Sequence, residues 1–155
     1  MLNKEELTQF LLKARTKTYA GTGDKAEPAF NGSTQLEHKE GDWFYRDVYY
    51  AGKGVFMGLE AVYHKDKAVW SMSYYGSYKG TPDEEMDKIL RGALMENWQT
   101  TRTWKKVEWE KDEYKYICEP DFEGSIDELA GLETISKGGK EIYKFFYAGG
   151  LIESG

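Results

Sequence analysis

Near the start of the chain apolar residues recur at helical spacing, with Leu7, Phe10, Leu11 and Ala14 at i, i+3, i+4 and i+7. Asn3, followed three residues later by Glu6, supplies a capping-box-like start, so the pattern predicts a helix from about residue 3 to residue 15 or 18. Between 17 and 33 (KTYAGTGDKAEPAFNGS) no period of 2 or 3.6 survives, which predicts a long loop. In a compact domain a stretch of that length tends to be a functional lid or a mobile segment. Strand-like runs follow at 35–40, 42–50, 55–64 and 67–75, separated by turn signals at Glu40-Gly41-Asp42, Gly52-Lys53-Gly54 and Lys65-Asp66. The gaps leave no room for crossover helices, so the four runs predict an antiparallel meander. Thr81-Pro82-Asp83-Glu84 then reads as an N-cap, a proline at the first helical position and a capping-box acid. Met86, Ile89, Leu90, Ala93 and Leu94 make the buried face of that second helix, with Trp98 near its end. Further strand-like runs fall near 104–109, 113–119, 125–136 and 140–147, the last pair turned by Gly138-Gly139.

The two stretches resemble each other. Residues 58–76 (GLEAVYHKDKAVWSMSYYG) align without a gap on 131–149 (GLETISKGGKEIYKFFYAG). Gly58, Leu59 and Glu60 recur as Gly131, Leu132 and Glu133, Tyr74 as Tyr147, and Trp70 answers Tyr143. Upstream, Trp43 and Tyr45 pair with Tyr114 and Tyr116. These matches predict an α+β fold in one domain, 1–155, made by internal duplication of a helix plus a four-stranded antiparallel meander, with halves at about 1–78 and 79–155. Both helices are expected on one face of the sheet or sheets. Trp43, Tyr45, Trp70, Met72 and Tyr74, with Tyr114, Tyr116, Tyr143, Phe145 and Tyr147, stand at period 2 and would fill the helix-to-sheet core. Arg46, Ser71, Ser73 and Lys144 occupy the other, solvated phase. Phe44, Val48, Val69 and Phe146 break it, which points to partial cover by the long loop or another subunit.

Composition narrows the function classes. With 155 residues, 40% hydrophobic and 15% aromatic, the chain is neither disordered nor, having no long apolar run, membrane-spanning by a helix. Twenty-one Lys and Arg against 27 Asp and Glu leave a net charge of −6, which disfavours a phosphate backbone; nucleic acid is not expected as a partner of this chain by itself. A single cysteine, Cys118, and an N-terminus without a basic and apolar signal point to the cytoplasm.

The runs TYAGTG (18–23), LEHKEGDWFYRDVYYAGKGVFMGLEAVYHKDKAVWSMSYYG (36–76) and EIYKFFYAGGLIE (141–153) carry a resemblance to an uncharacterised bacterial domain of unknown function. That family occurs alone or C-terminal to Xre-type helix-turn-helix regulators. The resemblance implies no established activity; beside a helix-turn-helix it implies a sensor or effector-binding role, and this chain is too short to hold one as well.

Residue chemistry offers a site but no reaction. Asp47 follows Trp43 and Tyr45 on an aromatic strand face: it is either a desolvated functional acid or an edge position where the strand leaves the core. Glu60 recurs as Glu133, which suits a structural bond as well as a ligand contact. His38 and His64 read as solvated, and no spacing of His, Cys or acids suggests a metal. No Gly-x-Ser-x-Gly is present, and Cys118 has no signalled base. Gly21-Thr22-Gly23 is a weak phosphate-loop signal, better explained by flexibility. Tyr19, with Tyr49, Tyr50, Tyr74 and Tyr75 near strand ends, could line a pocket with hydroxyls on apolar walls or simply form core and rim. The expected ligand site is therefore Tyr19, Asp47, Tyr49, Glu60 and Tyr74, between the long loop and the first meander. The leading expectation is a non-enzymatic small-molecule or peptide binding domain, without cofactor, as monomer or homodimer. The alternative is a protein–protein interaction module, antitoxin-, immunity- or inhibitor-like, with an acidic aromatic sheet surface.

Overall fold

The computed structural model describes residues 1–19 and 25–152. Helix α1 (Lys4–Lys17) opens on Asn3, whose side-chain oxygen accepts from the backbone N–H groups of Glu5 and Glu6 at 3.1 and 3.2 Å. Its apolar stripe is buried, and Arg15, one turn beyond Leu11, continues that stripe into the core. Strands β1 (Lys25–Ala26), β2 (Thr34–Glu40), β3 (Trp43–Gly52), β4 (Val55–His64) and β5 (Lys67–Ser77) follow. Helix α2 (Asp83–Glu96) leads to β6 (Val107–Lys111), β7 (Tyr114–Pro120), β8 (Glu128–Lys137) and β9 (Lys140–Leu151).

All nine strands form one antiparallel sheet in the order β1-β2-β3-β4-β5-β9-β8-β7-β6. This overturns the expected α+β duplication of a helix plus a four-stranded meander: the chain is half strand and only 19% helix. The physical reason lies at the middle of the sheet. β5 and β9 pair from Trp70↔Leu151 to Ser77↔Lys144, so neither meander ends there. The side chains beneath form one core cluster: Leu7, Phe10 and Leu11 of α1 and Met86, Ile89 and Ala93 of α2 pack with Tyr45, Trp70, Tyr116 and Phe145 of the sheet. Neither half closes its own core, since the Trp70 indole donates to the backbone oxygen of Ile126 at 3.1 Å and Arg15 donates to that of Arg102 at 3.0 Å.

Smaller differences have local causes. β1 lies within the expected 17–33 loop, where two residues pair with Gln35 and Leu36, too short a run for alternation to show. Gly21-Thr22-Gly23 lies outside the described residues. Pro82, not Thr81, holds the N-cap position of α2: at ψ 140 it is extended and stands one step ahead of the helix, with no side-chain cap. Asp83, Glu84 and Glu85 supply negative charge to the first turn instead. The strand expected at 104–109 starts at Val107, because residues 97–105 turn inward and bury Thr101, Arg102 and Thr103. The strand expected at 125–136 starts at Glu128. Val69 breaks the outer phase because the register of β4 and β5 shifts at Val62/Tyr63, so that Val69 and Trp70 are both buried. His38 is half-buried against the Phe10 ring rather than solvated, and its Nε2 is buried without a hydrogen bond. His64 stacks on Trp43 at 4.3 Å.

Candidate functional site

Two buried arginine–glutamate pairs form the floor beneath the helices. Arg15 of α1 donates through Nε and Nη2 to the two oxygens of Glu60 on β4, at 2.9 and 2.7 Å. The Tyr45 hydroxyl donates to the same carboxylate at 2.8 Å. Arg102 meets Glu133 on β8 in the same bidentate way, at 3.0 and 2.9 Å, and Tyr116 and Tyr143 donate to that carboxylate. Burial works against each guanidinium charge, but the facing carboxylate and the neighbouring tyrosines together hold both arginines above their ordinary range. Arg102 has a φ of 54, a left-handed conformation uncommon outside glycine, asparagine and aspartate. That backbone aims its guanidinium inward, 4.0 Å from the ring centre of Phe145 and 4.9 Å from that of Tyr19.

Asp47 differs from its neighbours. It stands directly opposite Glu60 across the β3–β4 ladder, is 1% exposed, and has no ion-pair partner among the described residues. The Tyr74 hydroxyl, from β5, donates to its Oδ1 at 2.5 Å. Gly58 makes that bond possible. A Cβ at position 58 would lie 2.6 Å from the Tyr74 hydroxyl and 2.4 Å from the Val48 carbonyl oxygen, so a side chain there would push the phenol away. Burial, and after it the charge of Glu60, raises the Asp47 carboxyl from the usual range to about 7.

Above Asp47 lies a cavity of about 130 Å³ between α2 and strands β3 to β5. Its walls are Tyr19, Tyr49, Phe56, Tyr74, Leu90 and Leu94; Asp47 and Arg102 also line it, with Asp87 and Arg91 of α2. Arg91 donates to Asp87 at 3.1 Å. The cavity thus combines mostly apolar walls with a few polar groups, the usual composition of a small-molecule site.

Of the residues expected from sequence, Tyr19, Asp47, Tyr49 and Tyr74 line this one cavity. Glu60 does not: it sits beneath, held by Arg15 and Tyr45. Among the described residues α2 supplies one wall, through Asp87, Leu90, Arg91 and Leu94, and Tyr19 lines the cavity from the 17–33 stretch. Arg15, Phe56 and Arg102 are absent from the expected site, and Leu90 and Leu94 are expected only as the buried face of α2. Arg15 had a signal, a charged residue continuing the stripe Leu7–Leu11; Arg102 had none, since its place depends on a left-handed turn. Among the described residues no group of three or more His, Cys, Asp or Glu side chains is placed to hold a metal ion.

The face of the sheet away from the helices is uncovered by described elements. Tyr50, Met57, Tyr75, Phe146 and Leu132 form one cross-strand row, and Val48, Leu59, Ser73, Ala148 and Ala130 the next. Met57 and Phe146 are 53% and 51% exposed. With Ala29, Phe30, Arg46 and Tyr63 the β3–β4 end of these rows bounds an open apolar groove.

No described helix is long and apolar enough to cross a membrane. No curated protein and no solved structure matches the chain. A family profile does match, over residues 47–152, about two thirds of the chain, from Asp47 through β9. The chain therefore belongs to the family described as Domain of unknown function (DUF5680).

Proposed function

We propose that the chain is a non-catalytic, cytoplasmic domain that binds a small molecule in the cavity between α2 and β3–β5. The observation that carries this reading is a buried carboxyl, Asp47, lining an aromatic cavity in which one phenol, Tyr74, is its hydrogen-bond partner. A fold selected for stability alone gains by placing an apolar residue there, because a buried carboxyl costs free energy unless something partners it. The rigid floor of two ion pairs suits a preorganised site. The resemblance to a bacterial domain found behind Xre-type helix-turn-helix regulators supports a sensory use of binding. Native against denaturing mass spectrometry of the protein purified from its own host tests the reading. A reproducible extra mass lost on denaturation is expected; a clean protein mass under conditions that preserve other noncovalent complexes counts against it.

The uncovered sheet face favours a second reading, a protein–protein interaction module. Its exposed row is apolar and aromatic, with Arg46, Lys144 and Glu141 around it, rather than acidic. Leu59→Glu separates the two readings: it charges the open face, so it would abolish partner binding while leaving the cavity's ligand in place.

A further inference from the structure

The charges around the cavity can be paired off one by one. Arg15 has Glu60, Arg102 has Glu133, and Arg91 has Asp87. Asp47 is left with no cation among the described residues, and the bond from Tyr74 is neutral. Once ionised, Asp47 therefore carries one desolvated negative charge in a cavity lined by the aromatic residues Tyr19, Tyr49, Phe56 and Tyr74, of which the Tyr19 ring already has Arg102 over it. Aromatic faces attract cations and add to what a carboxylate offers them. An anion would meet Asp47 and Asp87 and find the two lining arginines, Arg91 and Arg102, already engaged by Asp87 and Glu133, and a neutral guest would leave the carboxylate buried without a counter-charge. Size sets the other limit: a dry cavity of about 150 Å³ in another protein accepts benzene, and the volume here is about 130 Å³.

Building on the proposed small-molecule site, we infer that the cavity takes a small organic cation: a protonated amine on an apolar group about one ring in size, with Asp47 as its counter-ion. The ammonium donates to the Asp47 carboxylate, Tyr74 keeps its bond to Oδ1, and the apolar body lies among Phe56, Leu90 and Leu94.

Three probes of one shape and different charge test this on the full chain at pH 8: benzylammonium, benzyl alcohol and benzoate, each titrated by calorimetry, with Leu methyl resonances locating the site. Benzylammonium is expected to bind about tenfold or more tighter than benzyl alcohol, shifting Leu90 and Leu94 but not Leu59, with benzoate giving no saturable binding. Asp47→Asn should bring benzylammonium down to the level of the alcohol; if that variant fails to fold, the three probes on the unmodified chain decide alone. Benzyl alcohol or benzoate binding at Leu90 and Leu94 as tightly as benzylammonium overturns the cation assignment and leaves the small-molecule site standing. If no probe shifts Leu90 or Leu94, or only Leu59 moves, the cavity reading falls with it.

Discussion

Asp47 and Glu60 are cross-strand neighbours, two buried carboxyls on one face of the sheet, yet only Glu60 has an arginine. This asymmetry gives the two residues different electrostatic roles. Glu60 is part of the fold: replacing it with Gln leaves the Arg15 guanidinium buried without its counter-charge. Glu60→Gln is expected to cost about 3–5 kcal/mol, and Arg15→Met a similar amount. The double variant Arg15→Met/Glu60→Leu, which removes both charges, should lose less than either single change. Urea unfolding of the three variants measures this.

Asp47 has the opposite pH signature to an ion-paired acid. Its folded value of about 7 lies above the ordinary aspartate value of about 3.9 in an unfolded chain. Between those values the folded state holds a proton that the unfolded state has released, so the stability owed to Asp47 is complete below about pH 4 and falls as pH rises to 7. The groups that set this are Glu60 on β4, Tyr74 on β5, Arg15 on α1 and Arg102 in the turn before β6. Asp47→Asn should match the parent near pH 4 and exceed its stability by about 2–4 kcal/mol at pH 8. Denaturant midpoints across that range check it, and parallel curves for the two proteins would refute it.

The Tyr74 hydroxyl stabilises the ionised form of Asp47. Tyr74→Phe should move the Asp47 titration upward from about 7, as read from the carboxyl carbon resonance. Gly58→Ala, which leaves the phenol intact but displaces it, should move the same titration in the same direction.

Leu59 sits on the open face, 48% exposed. Leu59→Glu should change the stability of the isolated chain by no more than about 0.5 kcal/mol. A larger loss of stability, or a change in sedimentation coefficient, would mean that a second copy covers the face in solution.

Period-2 alternation revealed every strand except β1 and identified the aromatic inner face, because side-chain direction in a strand is a local property. Tyr49 and Tyr74 line the cavity with Asp47 and with Tyr19 from outside the strands, whereas Glu60, expected beside them, lies beneath with Arg15. What alternation could not reveal is non-local. That β5 pairs with β9, joining two expected units into one sheet, depends on which edges meet, and no residue between 67 and 77 announces it. Arg102 serves the site from a turn whose left-handed φ has no glycine to signal it. α2 lines the cavity through Leu90 and Leu94, a packing choice that an amphipathic stripe leaves open.

The position of β9 governs how the molecule is assembled. The last strand in chain order lies at the centre of the sheet, between β5 and β8. Until residues 140–151 are in place, β5 presents a bare edge and Trp70, Met72 and Tyr74 lack the Phe145 and Tyr147 side chains that complete their layer. Such long-range closure gives a high contact order and a slow folding step. The cavity beside Tyr74 therefore becomes competent late, when the chain zips shut through its middle rather than by adding strands outward.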